Sequence, residues 1–149
     1  MKNNFINKIF VIIFYFFIQN IANSADSFNF DVTEVEILEN GNIFKGSKRG
    51  IITTAGGIKL EADNFNYNKS LNILKANGKV KIEDSVNNYL LFSDKITYLR
   101  NENIIFTKKN SKAINLNDNS TIEADEFKYN KTLNILNANK NAVLENKIK

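Results

Sequence analysis

The sequence repeats itself: residues 60–83 read LEADNFNYNKSLNILKANGKVKIE, and residues 122–145 read IEADEFKYNKTLNILNANKNAVLE. Of these 24 aligned positions, 14 are identical. Midway between the two copies, residues 91–107 hold a weaker copy, LFSDKITYLRNENIIFT. Asp94 of that copy lies 31 residues after Asp63 and 31 before Asp125. A fixed period between about 20 and 50 residues indicates stacked supersecondary units.

The repeated units have the pattern of β-strands. Apolar residues occupy every second position, as at Ile58, Leu60 and Ala62, which is typical of half-buried strands. Turn-forming pairs recur at the same phase of the repeat. One such corner is marked by Gly56-Gly57, Asn87-Asn88 and Asp118-Asn119. No helical periodicity appears after residue 25, so the sequence predicts an all-β domain.

The phase of the apolar pattern changes at each repeated aspartate. Ala62 is in phase with Leu60, whereas Phe65 is out of phase with both. A bulge or sharp bend in a strand produces such a change, and side chains on both sides of it can then face one interior. We therefore predict a bend at Asp63, Asp94 and Asp125, where each carboxylate bonds to its own backbone.

Residues 1–24 have the layout of a secretory signal peptide. Lys2 and Lys8 precede an unbroken apolar run, IFVIIFYFFI at residues 9–18, and small residues follow at 22–24. The run is shorter than the roughly 20 apolar residues of a membrane span. The sequence thus predicts cleavage and a mature domain at 25–149, with an uncleaved anchor as the competing interpretation.

The composition excludes several function classes. The chain has no Cys and no His, so it lacks thiol nucleophiles, disulfides, Cys-ligated metals and the commonest general base. We expect no enzyme activity, no metal site and no cofactor. After loss of Lys2 and Lys8, 18 basic residues face 16 acidic ones, for a net charge of +2. Lys and Glu alternate without forming a patch, so we expect no nucleic-acid binding.

The stretch at residues 28–54 is a divergent first copy of the repeat. It contains strand-like runs at residues 33–38 and 50–54, and Asn40-Gly41 is a hairpin turn signal. Terminal repeats of stacked folds often diverge, because they cap the core. Exposed strand edges at the two ends of such a stack invite strand addition from another chain.

The recurring phrase, apolar-x-Ala-Asp-x-Phe-x-Tyr-Asn followed by Leu-Asn-Ile-Leu-x-Ala-Asn, resembles the OstA-like domain. That family comprises the periplasmic lipopolysaccharide-transport protein LptA and the N-terminal domain of the outer-membrane protein LptD. DKITYL at residues 94–99 and the stretch at 29–54 are also similar to it, and the likeness covers residues 28–145.

The resemblance implies a twisted, slightly open β-jellyroll, or short β-solenoid, built from repeats of about 31 residues. It also implies a periplasmic protein, or one associated with the outer membrane, that shields lipopolysaccharide acyl chains and bridges the two membranes. The implied partners are lipopolysaccharide, through its lipid A acyl chains, and other OstA-like proteins stacked head to tail. Membrane contact would then occur only through partners, unless the N-terminus is an uncleaved, LptC-like anchor.

An acyl chain needs a dry apolar channel, and inward Leu, Ile, Phe and Tyr side chains can line one. The candidate lining residues are Leu60, Phe65, Tyr67, Ile73, Ile96, Tyr98, Ile104, Phe127, Tyr129 and Ile135. Two other classes remain open. One is a structural β-solenoid, or a truncated LptD-like domain, without carrier activity. The other is a β-helical carbohydrate enzyme, which requires clustered outward carboxylates that the sequence does not show.

Overall fold

The structure is a computed structural model that describes residues 28–145, so the predicted signal peptide lies outside the described residues. Within this range no helix is long and apolar enough to cross a membrane. Two short 3-10 turns, Glu39–Gly41 and Arg100–Glu102, accompany the strands. The strands are β1 (Asn29–Leu38), β2 (Ile43–Thr53), β3 (Ile58–Ala62), β4 (Asn64–Asn68), β5 (Ile73–Asp84), β6 (Tyr89–Leu99), β7 (Ile104–Lys108), β8 (Ser111–Asn115), β9 (Thr121–Ala124), β10 (Glu126–Asn130), β11 (Ile135–Asn139) and β12 (Val143–Glu145).

All these strands belong to one antiparallel sheet of 12 strands that follows the chain as a series of hairpins. β1 pairs with β2, and β3 with β4 forms one long strand that pairs with β5. The long strand β6 pairs with β7 in one half and with β8 in the other. β9 and β10 together form another long strand, in which β10 pairs with β11 and β9 pairs with β12. Each 31-residue repeat is therefore one long, bent hairpin.

The long strands bend halfway, which divides the sheet into two facing layers. Layer A contains β3, β8, β9 and β12 with residues 29–32, 50–53, 80–84 and 89–93. Layer B contains β4, β7, β10 and β11 with residues 34–38, 43–47, 73–77 and 95–99. The apolar side chains of both layers form a single buried cluster between them. This arrangement is a β-jellyroll, and the predicted all-β fold is confirmed.

The bends form a column along one side of the jellyroll, which we call the bend corner. β3 ends and β4 begins around Asp63, β9 and β10 are separated by Asp125, and the β5–β6 register shifts opposite Asp94. At the corner, each neighbouring strand bends at two consecutive residues with positive φ, such as Gly78 and Lys79. The equivalent pairs with positive φ are Lys48-Arg49, Lys109-Asn110 and Lys140-Asn141. The predicted bends at the repeated aspartates are confirmed.

The corner aspartates bond to neighbouring strands. The backbone N–H of Asp63 donates to the Gly78 carbonyl at 2.9 Å, and Asp94 and Asp125 make the same bond one and two repeats later. Their carboxylates accept hydrogen bonds from side chains across the corner, at 2.9 Å for both Asn110 to Asp94 and Asn141 to Asp125. The predicted bond from each carboxylate to its own backbone was wrong, because Arg49, Asn110 and Asn141 across the corner donate to these carboxylates instead.

Candidate functional site

The interior between the layers contains most of the predicted lining residues. Seven of the ten have inward-facing side chains, and six of those are buried while Tyr67 is partly buried. These seven are Leu60, Phe65, Tyr67, Ile96, Tyr98, Phe127 and Tyr129. They alternate correctly on both sides of each bend, so the structure brings them together on one continuous inner surface.

The three repeated isoleucines, Ile73, Ile104 and Ile135, lie on the outer face instead, and the prediction that they line the interior was wrong. Ile135 is 47% exposed. An asparagine with positive φ precedes each of them and turns the first residue of the strand outward. The inward positions belong to the next residues along the chain, Leu74, Ile105 and Leu136. Leu74 is in phase with Ala76, Val80 and Ile82, a signal that was available in the sequence.

The interior is filled by the protein's own side chains. Ile52, Leu60, Leu74 and Ile105 are completely inaccessible to solvent. Among the described residues, no buried side-chain polar atom lacks a hydrogen-bond partner. The layers therefore pack directly against each other, and an apolar ligand would enter only if they separated.

A second line of contact between the layers lies opposite the bend corner, and we call it the seam. In its C-terminal part the Tyr129 hydroxyl of layer B donates to the Asp84 carboxylate of layer A at 2.7 Å. The Asn87 amide donates to Asp84 at 2.9 Å and to the Lys131 carbonyl at 3.0 Å. Asp84 is 0% exposed, and its other oxygen accepts from the backbone N–H groups of Val86 and Asn87.

The protonation of Tyr129 follows from this environment. Burial, and secondly the hydrogen bond to Asp84, raise the pKa of the Tyr129 hydroxyl above its ordinary value. The hydroxyl therefore remains a donor across the usual pH range, which the Asp84 carboxylate requires. Burial also raises the pKa of Tyr67, against the opposing effect of Arg100.

The N-terminal part of the seam is aromatic. The Phe28 ring, just before β1 in layer A, lies 4.8 Å from the Tyr67 ring and 6.0 Å from the Tyr98 ring of layer B, centroid to centroid. The Arg100 guanidinium carbon lies 4.9 Å from the Phe28 ring centroid. The sequence analysis missed Phe28, Asp84 and Asn87. Of these three, only Asp84 could have been found from the sequence. It is a charged residue at a position where the alternation of Val80 and Ile82 predicts an inward apolar side chain.

Both ends of the interior leave apolar side chains accessible. Val35 pairs with Gly46, which in turn pairs with the inward-facing Phe65, so Val35 lies on the inner face. Ile37 lies on the same face, because it pairs with Phe44 in the next equivalent position. Val35 is 51% exposed and Ile37 59%, because β1 has a neighbouring strand on one side only. At the other end, Leu144 of β12 lies on the inner face opposite Ile122 and is 60% exposed.

The described part of the chain, residues 28–145, contains no group of three or more acidic side chains that could hold a metal ion. The repeated aspartates are spread along the bend corner, and each is hydrogen-bonded to a side chain there. The arrangement therefore shows an apolar interior, a polar and aromatic seam and two accessible ends.

The fold is that of the LptA-like OstA proteins, a bent antiparallel jellyroll with an apolar interior. The chain is similar to the solved structure of LptH, the LptA-homologous periplasmic component of the conserved lipopolysaccharide transport device from Pseudomonas aeruginosa. The TM-score is 0.74 at 13% sequence identity, over 83% of this chain and 96% of that one. No protein-family model matches the sequence. No curated protein matches it either.

Proposed function

We propose that this chain is a periplasmic lipopolysaccharide-binding and transport protein that shields acyl chains between its two layers. The observation that supports the proposal most is the fold shared with LptH, which covers nearly all of that periplasmic protein. The apolar inner surface supplies the chemistry, because acyl chains bind where aliphatic and aromatic side chains exclude water. In this proposal the protein acts as a carrier without cofactor or catalysis.

In this proposal the acyl chains enter along the seam. The layers are continuous at the bend corner, whereas at the seam they meet only through side chains such as Asp84, Tyr129 and Phe28. Separation of the seam would expose inner residues including Phe65 and Phe127 to the lipid. The apolar surface freed on one layer would then be covered by acyl chains.

We further propose that copies or related domains stack head to tail. The outer edge of β1 and the last strands, β11 and β12, carry unpaired backbone groups among the described residues. Val35 and Ile37 at one end and Leu144 at the other offer apolar side chains in line with the interior. A contact between these unlike ends is heterologous and extends into a filament that bridges two membranes.

Photo-crosslinking tests the carrier proposal. The full chain is expressed in a lipopolysaccharide-producing bacterium with p-benzoylphenylalanine in place of Phe65, which faces inward, or of Phe92, which lies on the outer face of layer A. We expect crosslinks to lipopolysaccharide from position 65 and few or none from position 92. Equal crosslinking at both positions, or none at position 65 in a folded protein, contradicts the proposal.

The same preparation tests export. We propose that residues 1–24 are removed and that the protein works in the periplasm, in contact with membranes only through partners. Mass spectrometry of the periplasmic fraction is then expected to show a chain that begins at Ala25. A full-length protein that sediments with the inner membrane would instead support the anchored, LptC-like alternative.

A structural domain without a ligand is the second candidate function. The observation that favours it is the packed interior, in which Leu60, Leu74 and Ile105 are completely buried by the protein's own atoms. That candidate predicts a lipid-free mass for the folded protein and no crosslink from position 65. The crosslinking pair therefore separates the two candidates directly.

A further inference from the structure

The outer face of layer B carries a groove that is separate from the interior. It has a volume of about 630 Å³ and crosses β5, β6, β7 and β10. Thr97 and Phe106 form its centre, and Phe106 is 38% exposed. Four lysines surround this centre: Lys75, Lys95, Lys108 and Lys128.

Polarity changes in steps across this groove. The row nearest the hairpin tips is apolar, with Ile73, Leu99 and Ile104 side by side on adjacent strands. The middle row reads Lys75, Thr97, Phe106, Lys128. The row nearest the bend corner contains Asn77, Lys95, Lys108 and Glu126. The groove thus has an apolar end and a basic end.

The basic end contains an uncompensated pair of like charges. Lys95 and Lys108 are direct partners across β6 and β7. Like charges opposite each other on one face of a sheet are destabilising. No ion pair to either ammonium is present among residues 28–145, and nearby Glu126 pairs with Lys140 at 3.2 Å. Lys128 lies over the Phe106 ring, 5.9 Å from its centroid. An anion between Lys95 and Lys108 would remove their repulsion.

The outer face of layer A carries the opposite balance of charge. Its outward strand positions hold five acidic residues and three lysines: Asp31, Glu61, Glu83, Glu123, Glu145, Lys59, Lys81 and Lys112. Those of layer B hold three acidic residues and five lysines: Glu34, Glu36, Glu126, Lys45, Lys75, Lys95, Lys108 and Lys128. The two outer faces therefore differ in sign, and the positive one also carries the apolar row.

We propose that this groove binds an anionic amphiphile on the outside of the jellyroll. The phosphorylated head group lies between Lys95 and Lys108, and one acyl chain runs over Phe106 towards Leu99 and Ile104. Charge complementarity selects the head group, and the apolar row distinguishes an amphiphile from a free phosphate ion. The site is distinct from the proposed interior carrier site, because the side chains that contact the ligand, Lys95, Lys108 and Phe106, point away from the core.

Calorimetric titration of the full chain with a single-chain lysophosphatidylglycerol, below its micelle concentration, tests this proposal. Two exposed lysines that pair with one phosphate group together contribute about tenfold to thirtyfold in affinity. We therefore expect the double variant Lys95→Gln, Lys108→Gln to bind at least about tenfold more weakly. The matched control is Lys81→Gln, Lys112→Gln, which removes two lysines that flank Phe92 on the other outer face. Its affinity is expected to change less than about threefold.

Three further measurements complete the test. Zwitterionic lysophosphatidylcholine is expected to bind at least about tenfold more weakly than the anionic lipid. Inorganic phosphate is expected not to displace it, and Ile104→Asn, an outward change that spares the core, is expected to weaken binding. Equal losses in both lysine variants, full displacement by phosphate, or binding unchanged by Lys95→Gln, Lys108→Gln would overturn the proposal. The last of these outcomes would exclude the outer groove as the lipid site and would leave the interior carrier proposal intact.

Discussion

The bend corner and the seam join the same two layers in different ways. At the corner the chain itself crosses from layer to layer, and the same hydrogen bond from an aspartate N–H recurs at Asp63, Asp94 and Asp125. At the seam the layers meet through side chains that occur once each, such as the Asp84–Tyr129 pair and the Phe28 ring. The layers can therefore separate at the seam without breaking a strand, whereas the corner holds them at a fixed spacing.

The sharpest test of this difference compares two aspartates. Asp84→Ala removes the buried acceptor of two side-chain donors and two backbone N–H groups, so we expect a loss of about 4 kcal/mol in the free energy of unfolding. Asp63→Ala at the corner removes a contact with the exposed Arg49 and is expected to cost less than about 1 kcal/mol.

Urea unfolding measures both values. Asp84→Asn keeps an oxygen that accepts from Tyr129, so its cost is expected to be less than half that of Asp84→Ala. Equal costs for the Asp84 and Asp63 variants would show that the seam contributes no more than the corner, contrary to the comparison.

The corner was predictable from sequence because it repeats. Three copies of Asp at a 31-residue spacing, each at a change of apolar phase, indicated where the strands bend. The seam contacts of Phe28, Asn87 and Arg100 were not predictable, because these residues meet their partners only after the sheet has folded. The outward position of Ile73, Ile104 and Ile135 was missed for a local reason. A positive φ at the preceding asparagine decides which residue of each adjacent apolar pair points inward.

A second test concerns the space available at the corner. Gly78 has a φ of +81°, and a Cβ built there would lie 2.5 Å from the Asp63 carboxylate. We expect Gly78→Ala to cost about 3 kcal/mol, from the left-handed backbone together with the clash. Gly41→Ala is the matched control, since its φ is +88° with nothing within 4 Å of the new Cβ. Its expected cost is about 1 kcal/mol, and thermal or urea unfolding that gives equal costs would exclude the clash.

The seam also predicts a dependence on pH. Because the pKa of Tyr129 is raised above the ordinary tyrosine value of 10.0, the stabilisation from its hydroxyl is complete below pH 10 and is lost as the pH rises above 10. The slope for one such group is about 1.4 kcal/mol per pH unit. Tyr129→Phe is expected to cost about 1.5 kcal/mol at neutral pH and to reduce the slope above pH 10 by that of one such group, leaving the contribution of Tyr67. Urea unfolding from about pH 9 to 11 measures the slope, and a slope that is unchanged in Tyr129→Phe would contradict the assignment.

The smallest expected effect is a gain in stability at the corner. Lys109 has a φ of +66°, a conformation that glycine adopts without the cost imposed by a Cβ. Lys109→Gly is therefore expected to raise the free energy of unfolding by about 0.5–1 kcal/mol. The adjacent Lys108 ends strand β7, so Lys108→Gly is the matched control and is expected to lower stability by a similar amount. Opposite signs for two neighbouring lysines would show that the corner is determined by backbone conformation, while a loss in both would assign the Lys109 side chain a stabilising contact.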